Sequence, residues 1–442
     1  MFRDDSFRMG SPAPIRCQKW VPIDRRVGNI NLLAPGTLGT PGTLGTPGTP
    51  RTAMPIINRI ADFHDDMTVW RRSIHARPET AFEEFATADF VAAKLAEFGI
   101  EVHRGLAGTG VVGTLGEGDG PVIGLRADMD ALHITEANDF AHRSTHEGKM
   151  HACGHDGHTT MLLGAARYLA ETRRFKGVVH FIFQPAEENE GGGRVMIADG
   201  LFEIFPVREI YGMHNWPGLA AGTFAVKSGP LMAAFDVFEI TVVGKGAHAG
   251  MPHLGVDAVV TAAHMVTALQ SISSRENDPQ DAVVVSVTQL HGGDTWNVIP
   301  DRVVLRGTAR SFRVPVQDTI EPAIRRIAEG VAAAYSATAA VSYERRYPAT
   351  VNHAQETETA AAVAADVVGA GNVERDPTPS MGAEDFAFML HERPGCYVWL
   401  GNGPTDGERT LHNPNYDFND DILPIGASYW ARLVERVLKA DA

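Results

Sequence analysis

Short apolar runs, each closed by a polar cluster, recur along this 442-residue chain and constrain its fold more than any other feature. Residues 111–115, 122–125, 178–183, 210–213 and 397–400 are rich in Val, Ile and aromatic residues and bounded by Gly or polar residues. Runs of that length and content are buried strands. Helical periodicity lies between several of them, over residues 84–98 and 160–169, and again over 424–438, where Ile425, Tyr429, Leu433 and Val437 share a face. Strands that alternate with helices predict an α/β fold with a mostly parallel sheet.

Residues 231–347 keep a different rhythm. A strand (235–243) leads to a helix (256–271), two strands (282–289 and 302–311), a second helix (316–335) and a last strand (339–345). The order β-α-β-β-α-β is the split ferredoxin-like arrangement. It predicts a compact α+β domain inserted into a larger α/β domain made of residues 54–230 and 348–442. The beginning of the chain differs from both. Residues 36–50 read GTLGTPGTLGTPGTP, and Gly, Pro and Thr at that density cannot build a core. Residues 1–53 are expected to be a disordered tail or upstream sequence translated from too early a start codon. An amphipathic pattern (Ile56, Ile60, Phe63, Met67, Trp70, Ile74) begins just after Met54, which is the expected natural start.

Charge and cysteine content narrow the function classes. Lys+Arg 39 against Asp+Glu 54 gives a net charge of −15, the wrong sign for a general nucleic-acid binder. No run of ~18 apolar residues is available to span a membrane. Three widely spaced cysteines suit a reducing compartment, so a cytoplasmic location is expected.

The polar clusters follow the strand runs, where open parallel sheets bind their ligands. Residues 122–125 end in Arg126-Ala-Asp128; a lone Asp there reads equally well as a surface loop residue. Met150-His151-Ala-Cys153-Gly-His155-Asp156-Gly-His158 gathers one Cys and three His within eight residues. In an extended loop Cys153 and His155 point the same way and offer a thiolate and an imidazole to one ion; His155 with His158, three apart on a helix face, is a competing pair. Residues 178–183 end in Gln184-Pro-Ala-Glu187-Glu188. Adjacent carboxylates on a turn diverge, so one can ligate a metal while its neighbour moves a proton; the plain alternative is a solvated acidic loop. His214 follows residues 210–213, and His412 lies near the C-terminus. Mixed S, N and O donors suit Zn, Mn, Co or Ni better than Mg or Ca.

HACGHDGHT, QPAEENEGGG, GMHNW, KGAHAGMP, NVIPD, MGAEDF and LHNPNYDFND occur in this order. From Met54 onward the chain resembles the metallopeptidase family of aminoacylases and glutamate carboxypeptidases. The resemblance is strongest to its amidohydrolase branch of hippurate hydrolases, N-acyl-amino-acid amidohydrolases and plant auxin-conjugate hydrolases. It implies a zinc-peptidase-like catalytic domain and a ferredoxin-like domain that dimerises and covers the site, in a homodimer or tetramer. It also implies one or two divalent ions per subunit (Mn, Zn, Co or Ni) on Cys153, His155, Glu188, His214 and His412. Glu187 would be the general base, and His248 would stabilise the oxyanion, often in the partner's site. Asn297 and Arg310 would hold the substrate α-carboxylate. Other members carry His-x-Asp where this chain has Arg126-Ala-Asp128, so Asp128 is expected to support the ligands without binding the metal. The implied reaction is hydrolysis of the amide of a small N-acyl-L-amino acid. A dipeptidase or carboxypeptidase on the same fold is the near alternative, and a non-catalytic amino-acid-binding protein the distant one.

Overall fold

The Val- and Ile-rich runs become the middle of an eight-stranded sheet in a computed structural model that describes residues 56–118, 120–407 and 409–439. The extension expected over residues 1–53 lies outside the described residues. Val122–Asp128 lies between Gly177–Gln184 and Glu209–Pro217, and Gly395–Gly403 pairs with the last of these, all in parallel. These strands are buried on both faces, as near-continuous apolar sequence requires. Gly110–Glu117 and Glu101–Leu106 extend one edge antiparallel. Two short strands, Phe224–Ala225 and Val373–Glu374, close the other.

Helix His155–Thr172 is buried along most of its length, packing against the sheet and the C-terminal helix Leu423–Val437. The amphipathic segment after Met54 forms two helices, Asn58–Ala61 and His64–His75, instead of one. Its apolar face still enters the core: Ile60, Phe63, Met67, Trp70 and Ile74 are buried. The parallel strands all run toward one edge of the sheet, and the polar clusters collect there.

Residues 234–347 build a second, four-stranded antiparallel sheet in the order Val283–His291, Arg302–Ser311, Ala234–Val243, Thr338–Tyr347. Ala258–Leu269 and Val314–Ala334 cover one face and share a separate core with it, including Phe238, Ile240, Leu305 and Ile324. Burial alternates along Ala234–Val243, so the opposite face of this sheet is open. The fold class is therefore the expected one: a large α/β body with a ferredoxin-like α+β insert.

Candidate active site

Gly154, between Cys153 and His155, takes a left-handed conformation (φ 99°, ψ 14°) and caps helix His155–Thr172. The Cys-Gly-His segment is thus not the extended loop that its spacing suggested; a tight turn brings the two side chains together. A Cβ at this position would collide with Asn215 Oδ1, so both the φ and the space require glycine. Cys153 Sγ lies 3.3 Å from Nε2 of His214, which is in strand Glu209–Pro217. Ligand atoms of Cys153, His155 and His214 lie within 4.8 Å of one another, as do those of Cys153, Glu188 and His412, and of His155, Glu187 and Glu188. The five expected ligands thus meet in one place, with Cys153 common to two of the groups.

The donor atoms are oriented for a cation. His155 Nδ1 faces the Asp130 carbonyl (2.9 Å) and carboxylate (3.1 Å). Its Nε2 is buried without a hydrogen-bond partner. Glu188 Oε1 is also buried and unsatisfied, although His412 Nε2 stands 3.0 Å away. Buried polar atoms left unpaired are costly, and a metal ion would satisfy both. Burial alone would lower the pKa of His155, but Asp128, Asp130 and Glu188 raise it to about 10. Burial, followed by Glu188 and Glu187, pushes the Cys153 thiol well up. Without a cation these groups hold protons; a metal would take the thiolate and the neutral imidazole instead. The residues fit a mixed-donor transition-metal site.

Asp128 stands beside this cluster with both oxygens engaged. Oδ1 accepts from His158 Nδ1 at 2.6 Å and Oδ2 from Arg126 Nη1 at 2.7 Å. His158 Nε2 in turn accepts the Asn215 N–H at 3.0 Å. His158, the competing partner of His155, therefore has both nitrogens occupied by Asp128 and Asn215.

Glu187 sits on the turn after Gly177–Gln184 and is buried. Burial first, then Glu384, Glu188 and Asp385, hold its carboxyl well above the ordinary range. That environment suits a group that must accept and return a proton. The fully buried Arg126 offsets the negative charge, reaching Glu384 at 3.0 Å, Asp385 at 2.8 Å and Gln184 at 2.8 Å.

Glu187 and four of the ligand candidates, Cys153, Glu188, His214 and His412, open onto a cavity of about 460 Å³. Arg310 lines the same cavity, its guanidinium 4.0 Å from the Phe235 ring centroid and its Nε donating to the Met381 carbonyl at 3.2 Å. Among the described residues no carboxylate forms a close ion pair with it, and Asp236 acts on it only from farther away. His248 and Asn297 are exposed and lie outside this cavity. They sit side by side on the insert, where Ala247–His248 pairs with Val298–Ile299. His248 Nδ1 accepts the Gly250 N–H at 3.0 Å, which leaves Nε2 as the donor of the neutral ring.

Residues 124–436 match the model of peptidase family M20/M25/M40. The chain belongs to this family. It is 40% identical over 387 residues to the hippurate hydrolase of Campylobacter jejuni, spanning 87% of this chain and 100% of that protein. It is also 40% identical over 363 residues to an N-acetyl-L-cysteine deacetylase of Bacillus subtilis, covering 81% of this chain and 85% of that one. A solved Bacillus subtilis structure, described as a dinuclear metal-binding peptidase of the M20 family, shares 36% identity with a TM-score of 0.73. That match covers 86% of this chain and 100% of the other. The M20 chain is a metal-dependent amidohydrolase, as its motifs led one to expect.

Three features of this M20 site were not assigned from the sequence. Glu384 and Asp385, from MGAEDF, complete the acidic wall around Glu187; the motif was visible but its placement was not. Buried Glu84 accepts the Ala186 N–H at 2.9 Å, just before the Glu187-Glu188 pair, and the Thr109 hydroxyl at 2.7 Å. Tyr347 reaches the same turn from the end of the insert. Neither Glu84 nor Tyr347 carries a local signal, because each acts through residues far away in the chain.

Proposed function

We propose that this M20 enzyme hydrolyses the amide bond of N-acyl-L-amino acids, such as hippurate-like, N-acetyl or aryl-acyl conjugates, to a carboxylic acid and a free amino acid. The observation that carries this reading is Arg310, a guanidinium without a close ion pair that lines the same cavity as Glu187, Cys153, Glu188, His214 and His412. Arginine pairs bidentately with a carboxylate, which suits an α-carboxylate held beside the scissile amide.

Cys153, His155, Glu188, His214 and His412 would hold one or two divalent ions, with Mn, Zn, Co and Ni as candidates. Such ions supply Lewis acidity and a more acidic water when bound. Glu187 takes the proton of the attacking water and returns it to the leaving amine. Asp128 keeps His158 and Arg126 in place beside the ligands. The His248 Nε2–H donates to the oxygen where negative charge develops, and Asn297 assists Arg310. Both His248 and Asn297 lie outside the cavity of their own chain, so a second copy supplies them in a homodimer. In this scheme residues 54–230 and 348–442 are the catalytic domain and residues 231–347 the dimerisation and lid domain. Cys153 and Cys396 are buried free thiols, which suits a reducing, cytoplasmic setting.

The test is a panel of N-acetyl and N-benzoyl amino acids, their methyl esters and dipeptides, assayed with each metal in turn. The free acids should be hydrolysed with kcat/KM about 10²-fold or more above the esters, since the esters leave Arg310 unpaired. Equal rates on acid and ester would contradict the reading. Faster turnover of dipeptides than of N-acyl amino acids would select the dipeptidase alternative.

A further inference from the structure

The turn that carries Glu187 and Glu188 is strained; the Gly192 N–H closes it on the Ala186 carbonyl at 2.9 Å, and side chains from elsewhere hold much of the rest. Ala186 (φ 54°), Asn189 (φ 71°) and Gly191 (φ 70°) all have left-handed backbone, and two of them bear side chains. Such conformations persist only where the surroundings enforce them. From the large domain, Glu84 accepts the Ala186 N–H at 2.9 Å, Asp130 Oδ2 the Glu188 N–H at 2.9 Å, and Asp385 Oδ2 the Gly193 N–H at 2.8 Å.

Further supports come from the insert, at the point where its last strand returns to the large domain. The Tyr347 hydroxyl donates to the Glu187 carbonyl at 2.6 Å and accepts the Gly191 N–H at 2.9 Å. Arg346 Nη1 donates to the Asn189 carbonyl at 3.2 Å. Tyr347 pairs with Phe235 across the strands by which the chain leaves and re-enters the large domain. Its ring is buried, edge-on to Phe235 and Phe388, both with centroids 5.9 Å away. One hydroxyl thus spans both limbs of the turn, from a ring anchored at the crossing between the two sheets.

We propose that Tyr347 is a positioning residue for Glu187, fixing the turn through these two hydrogen bonds and tying the alignment of the base to the orientation of the insert. The inference rests on Glu187 acting as the base. The Tyr347 ring lines the cavity, but its hydroxyl is engaged by backbone groups of the turn. The insert can move only by dragging this hydroxyl or releasing it, so Glu187 is in register in the domain orientation that keeps both bonds.

The test is Tyr347→Phe in the full-length, metal-loaded protein. It keeps the ring and removes both hydrogen bonds. The expected result is a fall in kcat of about tenfold with KM within about twofold and unchanged metal content, since the lost bonds act on the base and not on substrate binding. Hydrogen exchange should accelerate across residues 185–192, where the Gly191 N–H loses its acceptor. Arg346→Ala, at a half-buried position, should give a smaller kcat loss in the same direction, and it decides the matter if Tyr347→Phe does not fold. Unchanged kcat, or a loss that follows metal content or KM, would overturn the proposal. Glu187→Gln run in parallel separates the two readings: wild-type turnover there removes the base itself, whatever Tyr347→Phe does.

Discussion

At the level of single residues the site is an excess of acid and thiol waiting for positive charge. Cys153 is held protonated by burial and by Glu188 and Glu187, and His155 is raised to about 10 by Asp128, Asp130 and Glu188 against the cost of burial. At neutral pH both carry protons in the metal-free protein, and both must lose them to become ligands. Metal binding should therefore release about two protons per site near pH 7, and apparent affinity should rise with pH. Calorimetric titration in buffers of different ionisation enthalpy measures this directly, and Cys153→Ser should lower both the metal content and the number of protons released. Binding without proton release would mean that neither residue is a ligand. Two of the proposed ligands, Cys153 and His155, stood out in the sequence because a thiol and three imidazoles crowd into eight residues, whereas Glu188, His214 and His412 rested on the family resemblance. Glu84 was not, because a glutamate at the start of a helix looks the same whether it faces solvent or a buried amide.

At the level of elements, the turn between strand and helix does what the spacing of residues only hinted at. Cys-x-His was read as two side chains on one face of an extended loop. The convergence comes instead from the left-handed Gly154, which ends the loop and starts helix His155–Thr172. Gly154→Ala should shift Cys153 and His155 apart, because a Cβ would meet Asn215 Oδ1 and Tyr416 Oη. Metal content and melting temperature should fall together. Gly148→Ala, at φ 74° with open space around the added Cβ, is the matched control and should cost only about 1 kcal/mol. If both variants keep wild-type metal content, Gly154 does not set the ligand geometry. The helix after Met54 was legible as a buried face but not as two helices, since periodicity reports which residues face the core and not where the axis breaks.

At the level of the whole molecule, the insert was legible because its strand–helix order is self-contained, with a core that shares no residue with the main one. What closes the large domain on itself and ties the insert to it was not legible. Arg126 meets Asp385 across 259 positions and Tyr347 meets Glu187 across 160, contacts that no window of sequence contains. In the proposed homodimer the same distance problem applies between chains. His248 and Asn297 are exposed on the insert, away from the cavity that needs an oxyanion donor. His248→Ala and Glu187→Gln should each be nearly inactive alone, with losses of about 10²-fold or more. Mixing the two chains should restore part of the activity, because each mixed dimer has one site with an intact Glu187 and the partner subunit's His248. Mixed dimers that form but stay inactive, or a fully active monomer, would remove His248 from the partner's site.

The most direct measurement of all is turnover of Glu187→Gln on an N-acyl amino acid, with metal content determined on the same sample. The amide keeps the shape of the side chain and cannot carry the proton. Turnover should fall by about 10²–10⁴-fold while the metal stays bound to Cys153, His155, Glu188, His214 and His412. Near wild-type turnover would contradict the assignment of Glu187 as the base, and metal lost along with activity would show that Glu187 is a ligand instead.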